Sequence, residues 1–346
     1  MRAVVVAAPG AVALADVPAP AVEDPADAIV RVTTAAICGS DLHFLHGRAP
    51  VTAGDVMGHE AVGIVTAVGN AVTRVAEGDR VVLSFVNTCG ACWWCTHGQH
   101  ALCDRSRVFG AGAFGGHLAG TQAEAVRVPG ADANLLLVPD AIDDERAVFL
   151  GDVLPTAVAS AAMAAPAAGE TVAVVGAGPV GLLTAQALLG AGADRVVVLD
   201  REPERLALAG SSGALAVDVR ERDPEMTLAG LTEDRGADAV VEAVGSVDAF
   251  GTALDVVRRG GRVVVAGMYA GDVTELQLGV WWARALQVRF LGLCPVQAWW
   301  EAARDAMLTG TVDPAPLISH RLDLDEAPHG YDLFARRAAT KVLLRP

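Results

Sequence analysis

The 346-residue sequence is poor in lysine, in basic charge and in long hydrophobic runs. Lys341 is its single lysine, and 26 basic residues face 41 acidic ones, which gives a net charge of -15. Binding to phosphate-rich partners needs clustered Lys and Arg, so this balance excludes nucleic acid and anionic membrane surfaces as partners. The longest apolar stretch, Leu154 to Ala168, is too short and too interrupted by proline for a membrane span.

A secretory leader is also missing from the pattern. Met1 leads directly into the strand-like segment Arg2 to Ala8, with no basic stretch and apolar run before it, so we expect a cytoplasmic protein. Hydrophobic residues make up 53% of the chain and charged residues 19%, which excludes a disordered protein. The length predicts about two domains.

The character of the sequence changes near Asp152. Residues 1–153 consist of short Val-rich segments separated by Gly, Pro and Asp, which predicts a mostly-β domain. Between residues 154 and 294 strand-like and helical segments alternate, which predicts an α/β domain with a doubly wound parallel sheet of the Rossmann type. Residues 295–346 end in a short strand, Lys341 to Leu344, and we expect them to return to the first domain.

Four cysteines fall together in a lobe spanning residues 87–104. Their spacing, C-x2-C-x2-C-x7-C, supplies the four soft ligands of a tetrahedral zinc site from one tight loop. Disulfides are the alternative, but cysteines three residues apart bridge poorly and nothing indicates secretion. Four thiolates leave no open coordination position, so the predicted zinc is structural, and its ligands are Cys89, Cys92, Cys95 and Cys103.

A second pair of candidate zinc ligands, Cys38 and His59, comes from two different segments. Each residue alone is equally compatible with a place in the core. Asp41 offers an acceptor that would fix the ring of His59. Ser40 and His43 offer a route for the hydroxyl proton that an alcohol must lose when it loses hydride.

A dinucleotide site is predicted after the strand-like residues 172–175. The glycine motif there opens a helix, and Asp200 follows the next predicted strand, 19 residues past the last glycine. The glycines would admit a pyrophosphate to the helix N-terminus. Asp200 would accept hydrogen bonds from the ribose and repel a 2'-phosphate, which favours NAD, although the adjacent Arg201 weakens that inference. The predicted motif residues are Gly176, Gly178, Pro179, Val180 and Gly181.

Together these motifs resemble the zinc-containing medium-chain dehydrogenase/reductase family of the alcohol dehydrogenase type, over nearly the full length. The resemblance implies a GroES-like catalytic domain beside the Rossmann domain, and a third catalytic zinc ligand at Asp152, where many members carry Cys. Residues 120–124 and 132–139 resemble the formaldehyde-dehydrogenase-like and threonine-dehydrogenase-like branch, in which Asp is that ligand. A capping carboxylate is the alternative for Asp152. This chain is shorter than the better-known members of that branch, so no substrate follows.

The resemblance also implies roles for residues outside the motifs. Charge balance makes Glu60 either an occasional zinc ligand or a residue that contacts the ligands from behind, because a permanent second carboxylate would make the site anionic. The segment Val280 to Leu293 resembles the family's subunit-contact strand, which implies a homodimer or homotetramer. The further implied contacts are the substrate pocket for Phe85, the nicotinamide for Thr156, the ribose for Arg205 and the pyrophosphate for Lys341, the last two being otherwise plain surface charges.

The expected function is reversible hydride transfer between a primary or secondary alcohol and NAD, with one catalytic and one structural zinc per chain. Two alternatives stay open. One is a zinc-independent NAD(P)H reductase of the same fold that acts on an activated double bond. The other is a dinucleotide-binding sensor without turnover. Two zinc atoms per chain would favour the dehydrogenase, and one would favour the reductase.

Overall fold

The computed structural model describes residues 1–47, 51–269, 275 and 277–346. The strands in this part of the chain are β1 (Arg2–Ala8), β2 (Ala11–Asp16), β3 (Ala28–Ile37), β4 (Glu60–Val68), β5 (Arg80–Leu83), β6 (Val86–Asn87), β7 (Arg107–Val108), β8 (Ala125–Val128), β9 (Leu135–Leu137), β10 (Thr171–Val175), β11 (Arg195–Asp200), β12 (Leu215–Asp218), β13 (Ala237–Glu242), β14 (Val257–Val265), β15 (Gln287–Phe290), β16 (Ile318–Asp323) and β17 (Lys341–Arg345). The α-helices are α1 (Gly39–Leu45), α2 (Trp93–Thr96), α3 (Ala131–Asn134), α4 (Asp144–Ala147), α5 (Val153–Ala164), α6 (Pro179–Gly190), α7 (Pro203–Ser211), α8 (Pro224–Leu231), α9 (Val247–Val256), α10 (Leu278–Ala283), α11 (Val296–Leu308) and α12 (Ala327–Ala335).

The chain divides into two compact units. Unit 1 comprises Met1–Pro155, Pro295–Arg304 and Pro314–Pro346, and unit 2 comprises Thr156–Cys294 and Asp305–Asp313. The predicted boundaries at residues 153 and 294 lie close to these. The segment 305–313 differs from the prediction, because it packs with unit 2 rather than returning to the first domain. At the end of this segment the backbone N–H of Asp313 donates to Gln186 Oε1 on α6 at 2.8 Å, which is one of its contacts with unit 2.

Unit 1 is built on a seven-stranded sheet with the order β16-β17-β3-β4-β5-β9, in which β8 also pairs with β3. The pairs are antiparallel except β16 with β17. β3 therefore has β4 on one side and β17 on the other, with Ala36 opposite Glu60 and Ile37 opposite Val342. This register brings the start of β4 and the start of the C-terminal strand to the same end of β3. The predicted mostly-β, GroES-like domain is confirmed.

Unit 2 contains a six-stranded sheet, all parallel, with the order β12-β11-β10-β13-β14-β15. The central strand β10 reads Thr-Val-Ala-Val-Val and is buried on both faces, as expected for a parallel sheet covered by helices. The chain order runs outward from β10 on one side and from β13 on the other. The direction of the chain order reverses between β10 and β13. Doubly wound sheets bind ligands at such a switch point, beyond the carboxyl ends of the strands. The Rossmann prediction is confirmed.

Among the described residues no single helix is both long and apolar enough to cross a membrane. One bent pair, Asp144–Gly151 with Val153–Ala164, meets the length and composition requirement only when its two halves are taken together.

Candidate metal centres and dinucleotide site

Four potential metal ligands converge in unit 1. Cys38 follows β3 and caps α1, His59 and Glu60 stand at the entry of β4, and Asp152 follows a short 3-10 helix at Val148–Gly151. One ligand atom from each residue lies within 4.8 Å of all the others. Asp152 Oδ2 is 3.3 Å from His59 Nε2 and 3.9 Å from Cys38 Sγ. A thiolate, an imidazole and carboxylates form a donor set that suits zinc. The structure thus brings the three predicted ligands together, with Glu60 as a fourth donor.

A buried hydrogen-bonded chain supports His59 from behind. Asp41 Oδ1 lies 3.0 Å from His59 Nδ1, and Asp41 Oδ2 accepts from the backbone N–H of Cys38 at 3.0 Å and from Gln122 Nε2 at 3.3 Å. The Tyr331 hydroxyl in turn donates to Gln122 Oε1 at 2.9 Å. The facing Asp41 leaves Nε2 as the nitrogen of His59 that points toward the other ligands. Second-layer partners of this kind orient metal-bound imidazoles.

The pKa values of two proposed ligands, His59 and Cys38, are shifted by burial and by neighbouring charges. Burial disfavours the charged ring, but Asp41 and then Asp152 outweigh burial and raise the pKa of His59 well above its usual value. Burial, together with the negative charge of Glu60, raises the pKa of the Cys38 thiol. Both groups must give up their protons to bind zinc, so metal binding here is coupled to proton release.

Gly58 gives Gln122 the room to reach this network. Its φ is +90°, in the left-handed region, and a Cβ at this position would lie 2.4 Å from Gln122 Cγ and 2.8 Å from Gln122 Cδ. A glycine directly before His59 therefore allows the amide of Gln122 to pass close beneath the chain. Sequence reasoning missed the roles of Gln122 and Tyr331. No local pattern links them, because 209 residues separate the two.

Lys341 is buried in unit 1 rather than exposed on the surface. Its side chain is 1% exposed, and its ammonium donates to Glu60 Oε1 at 2.7 Å and to Oε2 at 2.5 Å. The attraction of Glu60 overcomes the effect of burial and raises the pKa of Lys341. The alternative that Lys341 is a plain surface charge is therefore wrong, because its side chain is enclosed beside a carboxylate. Its contact with a cofactor pyrophosphate stays a prediction.

Three other predicted residues belong to unit 1 and lie around or beside the same cluster. Ser40 Oγ is 3.3 Å from His59 Nε2, and His43 follows one turn later on α1, half-buried. The Phe85 ring packs edge-on to the His59 ring with 6.0 Å between the ring centres. Thr156 belongs to unit 2, where it is buried on α5 and its carbonyl accepts a hydrogen bond from Ser160 Oγ.

The cysteine lobe forms a second centre in unit 1. One sulfur from each of its four cysteines lies within 4.8 Å of the others, and all four are free thiols rather than disulfides. Backbone N–H groups point at the sulfurs, from Cys89 and Arg105 to Cys103 and from Cys92 to Cys89, each at 3.3 Å. The backbone N–H groups of Cys95 and Asp104 lower the pKa of the Cys92 thiol to about 6. Close, unbridged sulfurs with backbone donors are what a four-thiolate metal site requires.

The glycine motif in unit 2 forms the predicted strand, turn and helix. Gly178 is the N-cap of α6 and has no side chain to cap it, and a Cβ at this position would meet nothing within 4 Å among the described residues. The helix N-terminus is therefore open to a pyrophosphate. Gly176 has a φ of +100°, and a Cβ there would lie 2.5 Å from Val244 Cγ2. Pro179 and Val180 begin the helix, and Gly181 packs against the backbone of Gly176.

Asp200 stands at the carboxyl end of β11, beside the glycine turn. Its Oδ2 accepts from the backbone N–H of Ala177 at 2.6 Å, and its Oδ1 accepts from Arg201 and Glu202 at 2.6 and 2.9 Å. These bonds fix the carboxylate next to the dinucleotide turn. The Arg201 side chain is exposed and lies 3.6 Å from Glu202, and Arg205 is half-buried on α7.

Comparison with known proteins gives consistent results along the chain. Residues 24–140 match the model of the alcohol dehydrogenase GroES-like domain, and residues 179–307 match that of the zinc-binding dehydrogenases. An alcohol dehydrogenase of Cupriavidus necator is 35% identical, covering all of this chain and 99% of the relative. The structure of alcohol dehydrogenase TADH from Thermus sp. ATN1 matches with 41% identity and a TM-score of 0.95, covering 100% of this chain and 99% of that one. A dehydrogenase-type protein from Sinorhizobium meliloti 1021, solved with bound NADP, matches with 31% identity and a TM-score of 0.88, covering 100% and 99%.

Proposed function

Because the chain belongs to the zinc-containing medium-chain dehydrogenase/reductase family and is a zinc-dependent alcohol oxidoreductase, we propose that it transfers hydride reversibly between a primary or secondary alcohol and NAD. The observation that carries this proposal is the convergence of one thiol, one imidazole and two carboxylates within 4.8 Å in unit 1.

Cys38, His59 and Asp152 are proposed to hold the catalytic zinc. One thiolate and one carboxylate balance the charge of Zn²⁺ while the imidazole stays neutral, and three protein ligands leave one position for substrate. When bound, the zinc supplies Lewis acidity that stabilises negative charge on the substrate oxygen. Asp41 keeps the proton of His59 on Nδ1 and so presents Nε2 as the ligand atom.

Ser40 and His43 are proposed to move the hydroxyl proton. Oxidation of an alcohol releases a hydride from carbon and a proton from oxygen, so the site needs a group that accepts that proton. Ser40 Oγ stands 3.3 Å from the ligand nitrogen of His59, and His43 lies three residues further along the same helix. Residues three apart share a helix face, which supports transfer from the hydroxyl of Ser40 to the imidazole of His43. Phe85 beside His59 supplies apolar contact for the alcohol.

NAD is the proposed cofactor, with its pyrophosphate at the N-terminus of α6. Asp200 is held by three backbone N–H groups and would accept ribose hydroxyls while repelling a 2'-phosphate. Arg201, which would attract such a phosphate, already lies near Glu202. The related structure from Sinorhizobium meliloti holds NADP, so the choice between the two cofactors is part of the proposal. Thr156, Arg205 and Lys341 remain the predicted contacts of the nicotinamide, the ribose and the pyrophosphate.

We also propose a structural zinc on Cys89, Cys92, Cys95 and Cys103, which makes two zinc ions per chain. The enzyme is further proposed to be a cytoplasmic homodimer or homotetramer. Apolar side chains around the edge strand β15 support self-association, because Leu278, Val280, Trp282 and Phe290 are each at least half exposed. Its proposed substrate is a small alcohol or carbonyl compound, and we propose that it binds neither nucleic acid nor a membrane.

A screen of NAD and NADP reduction with primary, secondary, polyol and amino alcohols tests the activity, with zinc measured on the same sample. We expect two zinc ions per chain, NAD reduction with at least one alcohol class, and loss of one zinc together with activity in Cys38→Ser, His59→Ala and Asp152→Ala. Cys294→Ser, which removes a buried cysteine outside both clusters, is the matched control. Full activity and full zinc in all three ligand variants would contradict the proposal.

A further inference from the structure

The single lysine of the chain is buried beside the candidate catalytic centre. Lys341 opens β17, next to β3, and reaches Glu60 at the start of β4 on the other side of β3. Its Nζ also lies 5.4 Å above the Phe149 ring. A buried ammonium is costly unless it is paired and hydrogen-bonded. Here both oxygens of Glu60 satisfy it, so the two charges hold each other in place.

Glu60 belongs to the same cluster as the three proposed ligands, and an oxygen of its carboxylate lies within 4.8 Å of their ligand atoms. A zinc held by Cys38, His59 and Asp152 is formally neutral and has one position left for substrate. A catalytic zinc must keep that position open. If Glu60 filled it, the site would become anionic and closed, as structural zinc sites are.

We propose that Lys341 is a positioning residue that keeps the Glu60 carboxylate away from the metal, so that the fourth coordination position stays available to substrate. This rests on the proposed catalytic zinc. The ammonium neutralises Glu60 and uses both of its oxygens as acceptors, at 2.7 and 2.5 Å. Without the ammonium, Glu60 would be an unpaired buried carboxylate next to a metal ion, and coordination would be the nearest way to compensate its charge.

The test replaces the metal of the whole protein with cobalt(II) and compares the unaltered chain with Lys341→Met, which keeps the length of the side chain and removes its charge. Imidazole is the probe, because it takes an open coordination position and changes the cobalt absorption. The cysteine lobe is unchanged, so its absorption cancels in the difference spectra. We expect Lys341→Met to bind imidazole at least about tenfold more weakly than the unaltered chain. The metal ion at the Cys38 cluster should be released to a chelator about tenfold more slowly. A merely structural role predicts faster metal release, so the two readings differ in sign.

Two further variants complete the comparison. Glu60→Gln combined with Lys341→Met removes the competing carboxylate and should restore imidazole binding, and Lys341→Arg should behave like the unaltered chain. Lys341→Gln, which keeps a hydrogen-bond donor without the charge, replaces Lys341→Met if the latter does not fold and is judged by the same two measurements. Unchanged imidazole binding together with equal or faster metal release would overturn the role of Lys341. If the cobalt spectrum of Cys38→Ser is the same as that of the unaltered chain, the proposed catalytic metal site itself is wrong.

Discussion

Replacing Gly58 with alanine should disrupt the support behind His59 without touching any metal ligand. The matched control is Gly54→Ala. Both glycines have left-handed backbones, with φ of +90° and +93°, but a Cβ at Gly54 would meet nothing within 4 Å, whereas one at Gly58 would lie 2.4 Å from Gln122 Cγ. The pair of variants therefore separates the cost of the backbone conformation from the cost of displacing Gln122.

The left-handed conformation costs an alanine about 1–2 kcal/mol, partly offset by about 0.4–1 kcal/mol from the stiffer unfolded chain. Gly54→Ala should therefore lower the free energy of unfolding by about 1 kcal/mol. In Gly58→Ala the side chain of Gln122 must also move by roughly 1 Å or more to restore normal carbon contacts of about 3.5–4.0 Å. Its buried hydrogen bonds are then lost at about 1–3 kcal/mol for each group left unsatisfied. The total should reach about 3–5 kcal/mol.

Calorimetry measures the first consequence, with about 2–4 °C lost for each kcal/mol in a unit of this size. We expect the melting temperature to fall by about 2–4 °C in Gly54→Ala and by at least twice as much in Gly58→Ala. Chelator competition measures the second consequence. Loss of second-layer support at Asp41 should weaken zinc binding at the Cys38 cluster about tenfold in Gly58→Ala and leave it unchanged in Gly54→Ala. Equal effects of the two variants on both quantities would refute the reasoning.

Three other changes have defined outcomes. Asp200→Asn removes a charge that would stand about 4 Å from a 2'-phosphate, so the preference in kcat/KM for NAD over NADP should fall about ten- to a hundredfold, and an unchanged ratio would show that Asp200 does not select the cofactor. Cys103→Ser should reduce the zinc content from about two to about one per chain and lower the melting temperature, whereas retention of both ions would rule out the lobe site. Burial raises the pKa of Glu170, but Arg262, at 2.5 Å, outweighs burial and lowers that pKa overall. A lowered pKa stabilises the fold above the unfolded value of about 4.3, and this stabilisation is lost as the pH falls through the folded pKa. Glu170→Gln should therefore cost about 1–2 kcal/mol in urea unfolding at pH 7 and progressively less below pH 4, whereas a cost that does not change with pH would contradict the ion pair.

Features that depend on neighbours along the chain could be predicted from the sequence. The cysteine lobe and the glycine turn each lie within about twenty residues, and their spacing alone fixes which groups meet. The alternation of strands and helices likewise specified unit 2. Asp152 is different, because nothing in its surroundings marks it as a ligand and it was predicted only through the family resemblance. Its place beside Cys38 depends on a contact between residues 114 positions apart.

The sequence was least informative where the tail of the chain folds back. The direction of the return was expected, but the register of β17 against β3 is not encoded in the tail alone, and that register decides which residue faces Glu60. A lone lysine in a strongly acidic chain suggested either a surface charge or a phosphate contact. The surface charge is wrong, because the sheet encloses the ammonium beside a carboxylate, and the phosphate contact stays a prediction. The segment 305–313 was likewise assigned to the wrong unit, because the amide of Gln186 that binds it lies 127 residues away.

Because the only lysine of the chain is buried, its chemical modification can be used to measure local opening of the fold. Acylating reagents attack uncharged, accessible amines, and the ε-amino group of Lys341 is both charged and enclosed. Its acylation therefore requires states in which the amine leaves Glu60 and reaches solvent. No other ε-amino group contributes to the signal, so a single mass increment on one peptide would count these openings over time. The rate of that increment measures how often the structure around the Lys341–Glu60 ion pair opens.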